Sequence, residues 1–115
     1  MDIYFKNKKI AKSFNENKRL ERDYGSVQAK LIGIRMMELR AAENLKVFWP
    51  PKSPPARCHE LTKGQRKGQL SVDLQYPYRL IFVPDHDPVP RLKDGGLDWS
   101  CVTAIKILDV ENTHG

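Results

Sequence analysis

Residues 69–83 read QLSVDLQYPYRLIFV, and their hydropathy pattern predicts two β-strands. Apolar and polar side chains alternate between Gln69 and Leu74, which is the period of a strand with one buried face. The inward positions are Leu70, Val72 and Leu74. Tyr78 to Val83 follows as a largely apolar run with high strand propensity. These two strands indicate a sheet at the centre of the fold.

Three further segments have strand character. They are residues 2–5, the short run Cys58–Leu61 and the long run Cys101–Val110. Residues 84–98, which precede the last run, are rich in Pro, Gly and acidic side chains and predict a surface loop. The expected sheet is largely antiparallel.

Two helices are predicted between the first and second strands. The first begins after Asn7, carries Ile10, Phe14 and Leu20 on one face, and ends near Tyr24 and Gly25. Ser26 is expected to cap a second, longer helix. Its apolar stripe is predicted at Val27, Leu31, Ile34, Met37 and Ala41, widened by Ile32, Met36 and Leu39. The pair forms a helical hairpin whose apolar stripes need a sheet to cover them.

The run FWPPKSPP at residues 48–55 contains four prolines and predicts a stiff, polyproline-like connector within one domain. The expected element order is β-α-α-β-β-β-β. We therefore expect a single α+β domain over residues 1–115, with a helical hairpin packed on one face of the sheet.

Composition excludes several protein classes. The 115 residues include no apolar run near 18 residues long, and the mean hydropathy is −0.58, so no membrane span is expected. Cys58 and Cys101 lie far apart without a CxxC pair, which predicts free thiols rather than a disulfide scaffold or a zinc ribbon. The basic start lacks the features of a secretory signal, and we expect a cytoplasmic protein. The scattered histidines match no metal-ligand spacing, so neither a metal nor a cofactor is expected.

Charge is distributed unevenly along the chain. Residues 1–67 carry 16 Lys and Arg against 7 Asp and Glu, whereas residues 68–115 carry 4 against 7. Such asymmetry favours a surface that meets phosphates or an acidic partner. A plain solubility role for the positive charge is the alternative.

The segment Thr62–Gly68 places Lys63, Arg66 and Lys67 on a glycine-containing loop between two strands. Exposed cations and backbone amides on such a loop suit a phosphodiester clamp. The alternative is an ordinary solvated hairpin turn.

Arg79 and His59 are the candidate reactive side chains of the strands. Arg79 opens the apolar strand and points away from Leu80 and Phe82, where a permanent charge needs an anion or a carboxylate. A cross-strand pair with Asp73 is the alternative to a ligand anion. His59 is either a proton-transfer group or a half-buried histidine bonded to a backbone carbonyl, and His86 is expected to be a solvated loop residue.

Several motifs together resemble the RelE/ParE toxin superfamily, and most closely its HigB-like branch. The motifs are RCHELT at 57–62, RKGQLSVDL at 66–74, YRLIF at 78–82 and VTAI at 102–105. They resemble the family patterns H-x-L, G-x-x-S-V and Y-R-L-x-F. The family fold, a helical hairpin against an antiparallel sheet, agrees with the fold expected from the hydropathy pattern.

The resemblance implies a toxin of a type II toxin-antitoxin system that cuts mRNA on the ribosome and is neutralised by a cognate antitoxin, a small helix-turn-helix protein. The reaction needs no metal, because the 2′-OH of the RNA attacks the adjacent phosphate. Arg79 matches the arginine of Y-R-L-x-F, and His59 matches the histidine of H-x-L; both would be catalytic. The implied RNA-binding cations are Arg57, Lys63, Arg66 and Lys67.

The family often ends in an Asp-Tyr-His run, and this chain lacks the tyrosine. Either residues 112–114 correspond to that run, with His114 as the catalytic acid or base, or residues 109–111 do, with Glu111 in place of the histidine. We favour His114. A ParE-like toxin that acts on DNA gyrase without cutting RNA, and a basic nucleic-acid-binding module, are the alternative functions.

Overall fold

The structure is a computed structural model and describes residues 1–112. Within them the chain forms an α+β fold of three α-helices and five β-strands. The elements are β1 (Asp2–Phe5), α1 (Lys8–Asn15), α2 (Asn17–Tyr24), α3 (Ser26–Ala41), β2 (His59–Glu60), β3 (Leu70–Asp73), β4 (Tyr78–Pro84) and β5 (Ala104–Asn112). The α+β class is confirmed.

The five strands form one sheet in the order β1-β5-β4-β3-β2. Only the β1–β5 pair is parallel, with Ile3 opposite Ile105, and the other three pairs are antiparallel. The predicted, largely antiparallel character is therefore confirmed. The register places Asp73 opposite Arg79.

The single helix predicted after Asn7 is wrong, because the segment is broken at Glu16 into α1 and α2. Glu16 has extended backbone angles, φ −122° and ψ 108°. A continuous helix would separate Ser13 from Asp23 by about 15 Å along its axis. The break instead lets the Ser13 hydroxyl donate a 2.7 Å hydrogen bond to the Asp23 carboxylate.

The predicted extent of α3 is confirmed, but its predicted cap is wrong. Gly25, with φ 83°, holds the N-cap position, and α3 has no side-chain cap. A left-handed φ is easily reached only by glycine, so the sharp change of direction from α2 to α3 falls on this residue.

The predicted apolar stripe of α3 is wrong in part, since Val27, Ile34 and Met37 face outward, whereas its positions Ile32, Met36 and Leu39 are buried as predicted. Met37 is 70% exposed. The buried positions of α3 are Gln28, Ala29, Ile32, Arg35, Met36 and Leu39. Two of these are polar because they bond distant backbone: Gln28 accepts from the Gln75 N–H, and Arg35 donates to the Asp73 and Pro55 carbonyls.

The core lies between the helices and the sheet. It joins Ile32, Met36 and Leu39 of α3 to Val72, Leu80, Phe82, Ile105 and Ile107 of the strands. The predicted inward positions Leu70, Val72 and Leu74 are all buried. Burial of these side chains is the main term that stabilises the sheet–helix packing.

The prediction of a polyproline-like connector at residues 48–55 is wrong. A short 3-10 helix spans Leu45–Phe48, and successive turns follow, in which the Ser53 N–H bonds the Pro50 carbonyl at 3.1 Å and the Arg57 N–H bonds the Ser53 carbonyl at 2.8 Å. Polyproline helix has no internal hydrogen bonds, so these local bonds define a folded loop. Another 3-10 helix spans Trp99–Cys101, so the last strand begins at Ala104 and not at Cys101 as predicted.

His86 is not the solvated residue that was predicted. Its Nε2 accepts from the N–H groups of Thr103, at 3.1 Å, and Ala104, at 3.3 Å. Cys58 and Cys101 are free cysteines, as predicted. None of the helices in the described part of the chain has the length and apolar character that a membrane crossing requires.

Candidate functional site

An open cleft of about 830 Å³ lies beside β2, between the basic loop and the segments that carry the two tryptophans. Its charged lining residues are Lys52, Glu60, Lys63, Arg66, Arg79 and Glu111. His59, Trp49 and Trp99 also line it. The cleft therefore brings together four predicted site residues, namely His59, Lys63, Arg66 and Arg79, and it also contains Glu111, which the sequence offered as the alternative to His114.

Strand pairing explains why His59 and Arg79 meet. His59 lies opposite Ser71 in β3, Asp73 follows Ser71 by two residues on the same face, and Arg79 lies opposite Asp73. Because strand side chains alternate, these residues share one face of the sheet. Arg79 Nη1 lies 3.5 Å from His59 Nε2, and Arg79 Nε lies 3.6 Å from Asp73 Oδ1.

The imidazole of His59 has a defined tautomer. Its Nδ1 lies 2.7 Å from the Arg57 carbonyl oxygen, which can only accept, so Nδ1 carries the proton. Nε2 is then unprotonated and faces the Arg79 guanidinium. Burial is the largest effect and lowers the pKa of His59 from its ordinary value; the hydrogen bond to the Arg57 carbonyl raises it, and the nearby charges of Arg79, Lys52 and Arg57 lower it again. The net lowering of the pKa favours the neutral imidazole, whose Nε2 can act as a base.

Asp73 connects two arginines. Its Oδ2 accepts from Arg57 Nη1 at 3.1 Å, while Oδ1 faces Arg79. The Asp73 backbone carbonyl accepts from the buried Arg35 at 2.7 Å. The predicted Asp73–Arg79 pair is therefore present, and Arg57, which was predicted to bind RNA, is paired with Asp73 and is not one of the residues that line the cleft.

The three cations of the basic loop are not equally available to contact a ligand. Arg66 forms ion pairs with Glu111 at 2.6 Å and Asp109 at 3.1 Å, so two carboxylates offset its charge. Lys63 is exposed and lines the cleft, whereas Lys67 is exposed but is not part of the lining. The loop itself contains a 3-10 turn at Gly64–Arg66.

Sequence reasoning missed Lys52, Trp49 and Trp99 as cleft residues. Trp49 and Lys52 belong to the proline-rich segment that was treated as a connector, and Trp99 lies 50 positions further along the chain. The one local signal for these residues was the presence of a tryptophan and a lysine among four prolines, because functional side chains are often carried by loops that the fold holds in place.

His114, the other predicted catalytic residue, lies outside the described residues. Among residues 1–112, no group of three or more His, Cys, Asp and Glu side chains could hold a metal ion. The chain matches no family model, and no curated protein or solved structure matches it.

Proposed function

We propose that this protein is a HigB-like toxin of the RelE/ParE superfamily, a cytoplasmic endoribonuclease that cuts mRNA on the ribosome. The observation that carries the proposal is the neutral His59 Nε2 lying 3.5 Å from Arg79 in a cleft that also contains Lys52 and Lys63. A base and a permanent cation side by side suit an attack on a phosphodiester. The motifs at 57–62, 66–74 and 78–82 support the same family.

The reaction divides between these groups as follows. His59 Nε2 takes the proton of the RNA 2′-OH, whose oxygen forms a bond to the adjacent phosphorus. Arg79 stabilises the dianionic pentacovalent phosphorane, because its guanidinium presents two parallel donors to phosphate oxygens. The bond from phosphorus to the 5′-oxygen then breaks, and an acid protonates that oxygen. By the family resemblance, His114 is the proposed acid.

Arg79 is already oriented for this role. Its side chain is 15% exposed, and it faces His59 on one side and Asp73 on the other. An ordered guanidinium loses little conformational entropy when it meets a phosphate, and in a half-enclosed cleft its charge is screened less than on the open surface.

Mapping of RNA 5′ ends after incubation with translating ribosomes and a defined mRNA tests the proposal. The wild-type protein is expected to produce new 5′-hydroxyl ends at codons in the ribosomal A site, and His59→Gln is expected to lose them. Arg91→Ala, a change outside the cleft, serves as the matched control and should cut normally. Absence of wild-type cleavage would overturn the proposal, and growth arrest without cleavage would instead favour the gyrase-directed alternative.

The proposed partner is an antitoxin that presents an acidic, amphipathic segment to α3. The outward face of α3 exposes Val27, Ile34 and Met37 beside the exposed cations Lys30 and Arg40. An apolar stripe flanked by cations complements a helix with an apolar face and acidic edges. Expression of the toxin alone should arrest growth, co-expression of the adjacent small gene should restore it, and Met37→Glu should weaken that rescue.

A further inference from the structure

Residues of two kinds line the cleft. His59 and Arg79 are polar, whereas Trp49, Trp99 and the exposed Leu92 are apolar. The proposed reaction uses the polar residues and gives the apolar ones no role. An exposed tryptophan leaves a large apolar surface in water, and contact with a ligand would bury that surface.

Trp49 packs against a buried side chain and is itself half exposed. Its ring packs edge to face on Trp99 at a centroid distance of 5.1 Å and an interplanar angle of 90°. Trp99 is 6% exposed, whereas Trp49 is 52% exposed. The indole of Trp49 is therefore supported by a buried partner and still offers surface to the cleft.

The backbone on both sides of this tryptophan pair is also ordered. The Leu45 N–H bonds the Val102 carbonyl at 3.0 Å, which ties the 3-10 helix that precedes Trp49 to the residue that follows the 3-10 helix containing Trp99. The Trp49 N–H bonds the Lys46 carbonyl at 3.0 Å. A ligand that contacts Trp49 thus meets a preorganised ring and loses less free energy to ordering.

Cations line the same cleft as the exposed indole. Lys52 follows Trp49 by three residues and adopts φ 67°, a left-handed conformation that is uncommon for a residue other than glycine. The Lys52 N–H bonds the Cys58 carbonyl at 3.0 Å, which anchors this turn next to His59. A flat apolar surface in one cleft with Lys52 and Arg79 matches a ligand that joins an aromatic ring to a phosphate.

We propose that Trp49, supported by Trp99, is a stacking platform for one base of a single-stranded RNA whose phosphate lies at Lys52 and Arg79. The inference deepens the proposed function and rests on it for the choice of RNA as the ligand. Stacking on an aromatic side chain is tolerant of base identity, because every base has a π face. The platform therefore selects unpaired nucleotides over duplex RNA, whose bases are stacked on one another.

The test compares two uncleavable probes of equal length and charge. Both probes carry fluorescein; one is a hexamer of 2′-O-methyladenosine, and the other is a hexamer of abasic 2′-O-methyl sugar-phosphate units. Wild-type protein should bind the base-bearing probe about tenfold more tightly, as judged by fluorescence anisotropy. Equal affinity for both probes would show that the cleft recognises phosphates alone and would overturn the proposal.

Substitutions at Trp49 separate stacking from simple apolar contact. Trp49→Phe should retain most of the preference for bases, while Trp49→Leu, which keeps an apolar contact with Trp99, should lose it and bind the abasic probe as before. Val47→Ala is the matched control, since Val47 is exposed in the same segment but does not line the cleft. Full base preference in Trp49→Leu would overturn the proposal.

Tryptophan fluorescence provides a second, independent measurement. The chain has two tryptophans, so Trp99→Phe leaves Trp49 as the sole one. The base-bearing hexamer should quench its emission, and the abasic hexamer should not. Neither probe has a free 2′-OH, so neither can be cut and both report binding alone. A protein that cuts no mRNA can therefore still prefer the base-bearing probe, and a protein that cuts mRNA can lack that preference. Failure of this inference is thus distinguishable from failure of the proposed function.

Discussion

Arg79 Nη1 lies 3.5 Å from His59 Nε2, and this contact adds to the effect of burial in favouring the neutral form of the histidine. A guanidinium only donates, so it favours the imidazole whose Nε2 is bare and disfavours the imidazolium. The Arg57 carbonyl, 2.7 Å from Nδ1, selects the same neutral tautomer. The contact with the Arg57 carbonyl and the contact with the Arg79 guanidinium therefore both leave Nε2 as the unprotonated nitrogen of the neutral imidazole.

Removal of the Arg79 guanidinium should separate catalysis from binding. If Arg79 stabilises charge that exists only in the transition state, Arg79→Ala should lower the rate of mRNA cleavage by about 10², equivalent to roughly 2.7 kcal/mol. Arg79→Lys should restore only part of the rate, since an ammonium lacks the two parallel donors. Cleavage rates on ribosomes measure the effect, and anisotropy with the uncleavable RNA hexamer should show a loss of affinity that is smaller than the loss of rate, because Arg79 also contacts the phosphate of the bound RNA. Full cleavage by a folded Arg79→Ala protein would contradict the role given to Arg79.

Acidification should destabilise the fold through His59. Burial and the charges of Arg79, Lys52 and Arg57 lower the pKa of His59 below its ordinary value of 6.5. The unfolded chain therefore takes up this proton first, and the free energy of unfolding falls as the pH drops below about 6.5. Chemical denaturation of the wild type and of His59→Gln at a series of pH values measures the difference. The wild type should lose more stability on acidification, and parallel pH profiles would contradict the prediction.

The salt dependence of RNA binding should reflect Lys63 and Lys67 more than Arg66. The two lysines are exposed, whereas Arg66 is paired with Asp109 and Glu111. Each phosphate contact to a single strand contributes about −0.7 to the slope of log affinity against log salt. Changing both lysines to Gln should flatten the slope by about 1.4, and Arg66→Gln should change it less. An unchanged slope in the double variant would show that this loop does not meet RNA phosphates.

Arg35 should be a major contributor to stability. Its side chain is 9% exposed and donates to the Asp73 and Pro55 carbonyls and to Glu38. Arg35→Ala leaves buried acceptors without a donor and should lower the free energy of unfolding by about 2 to 4 kcal/mol. Urea denaturation measures this loss, with Arg40→Ala as the control because Arg40 is exposed on the same helix. Equal effects of the two changes would contradict the prediction.

The two cysteines should differ in reactivity. Cys58 is fully buried, and burial raises the pKa of its thiol to about 12, so little reactive thiolate forms at neutral pH. Cys101 is exposed. Native protein should therefore consume one equivalent of a thiol reagent quickly, and denatured protein should consume two. Rapid reaction of Cys58 in the native state, followed by mass spectrometry, would show that its burial is incomplete.

The error over the buried face of α3 shows where periodicity fails. Counting apolar residues favoured the face with Val27, Ile34 and Met37, yet the buried face includes Gln28 and Arg35. A polar side chain is buried when distant backbone supplies its partners, and here these are the Gln75 N–H and the Asp73 and Pro55 carbonyls. A helix sequence carries no information about such partners, so the apolar count identified Ile32, Met36 and Leu39 correctly but extended the stripe to the exposed side of the helix.

The sequence by itself determined the α+β class, the strands on either side of the 75–77 turn and the extent of α3, because local periodicity reports which residues can share one buried face. It also offered the Asp73–Arg79 pair as the alternative to a ligand anion for Arg79, and strand register creates that pair. Only the tertiary structure brought Trp49 and Lys52 to the cleft and placed Arg66 on carboxylates more than 40 residues away. Those contacts depend on the path that the chain takes through its turns. Hydrogen bonds between distant segments fix that path, and they form only once the core has brought the segments together.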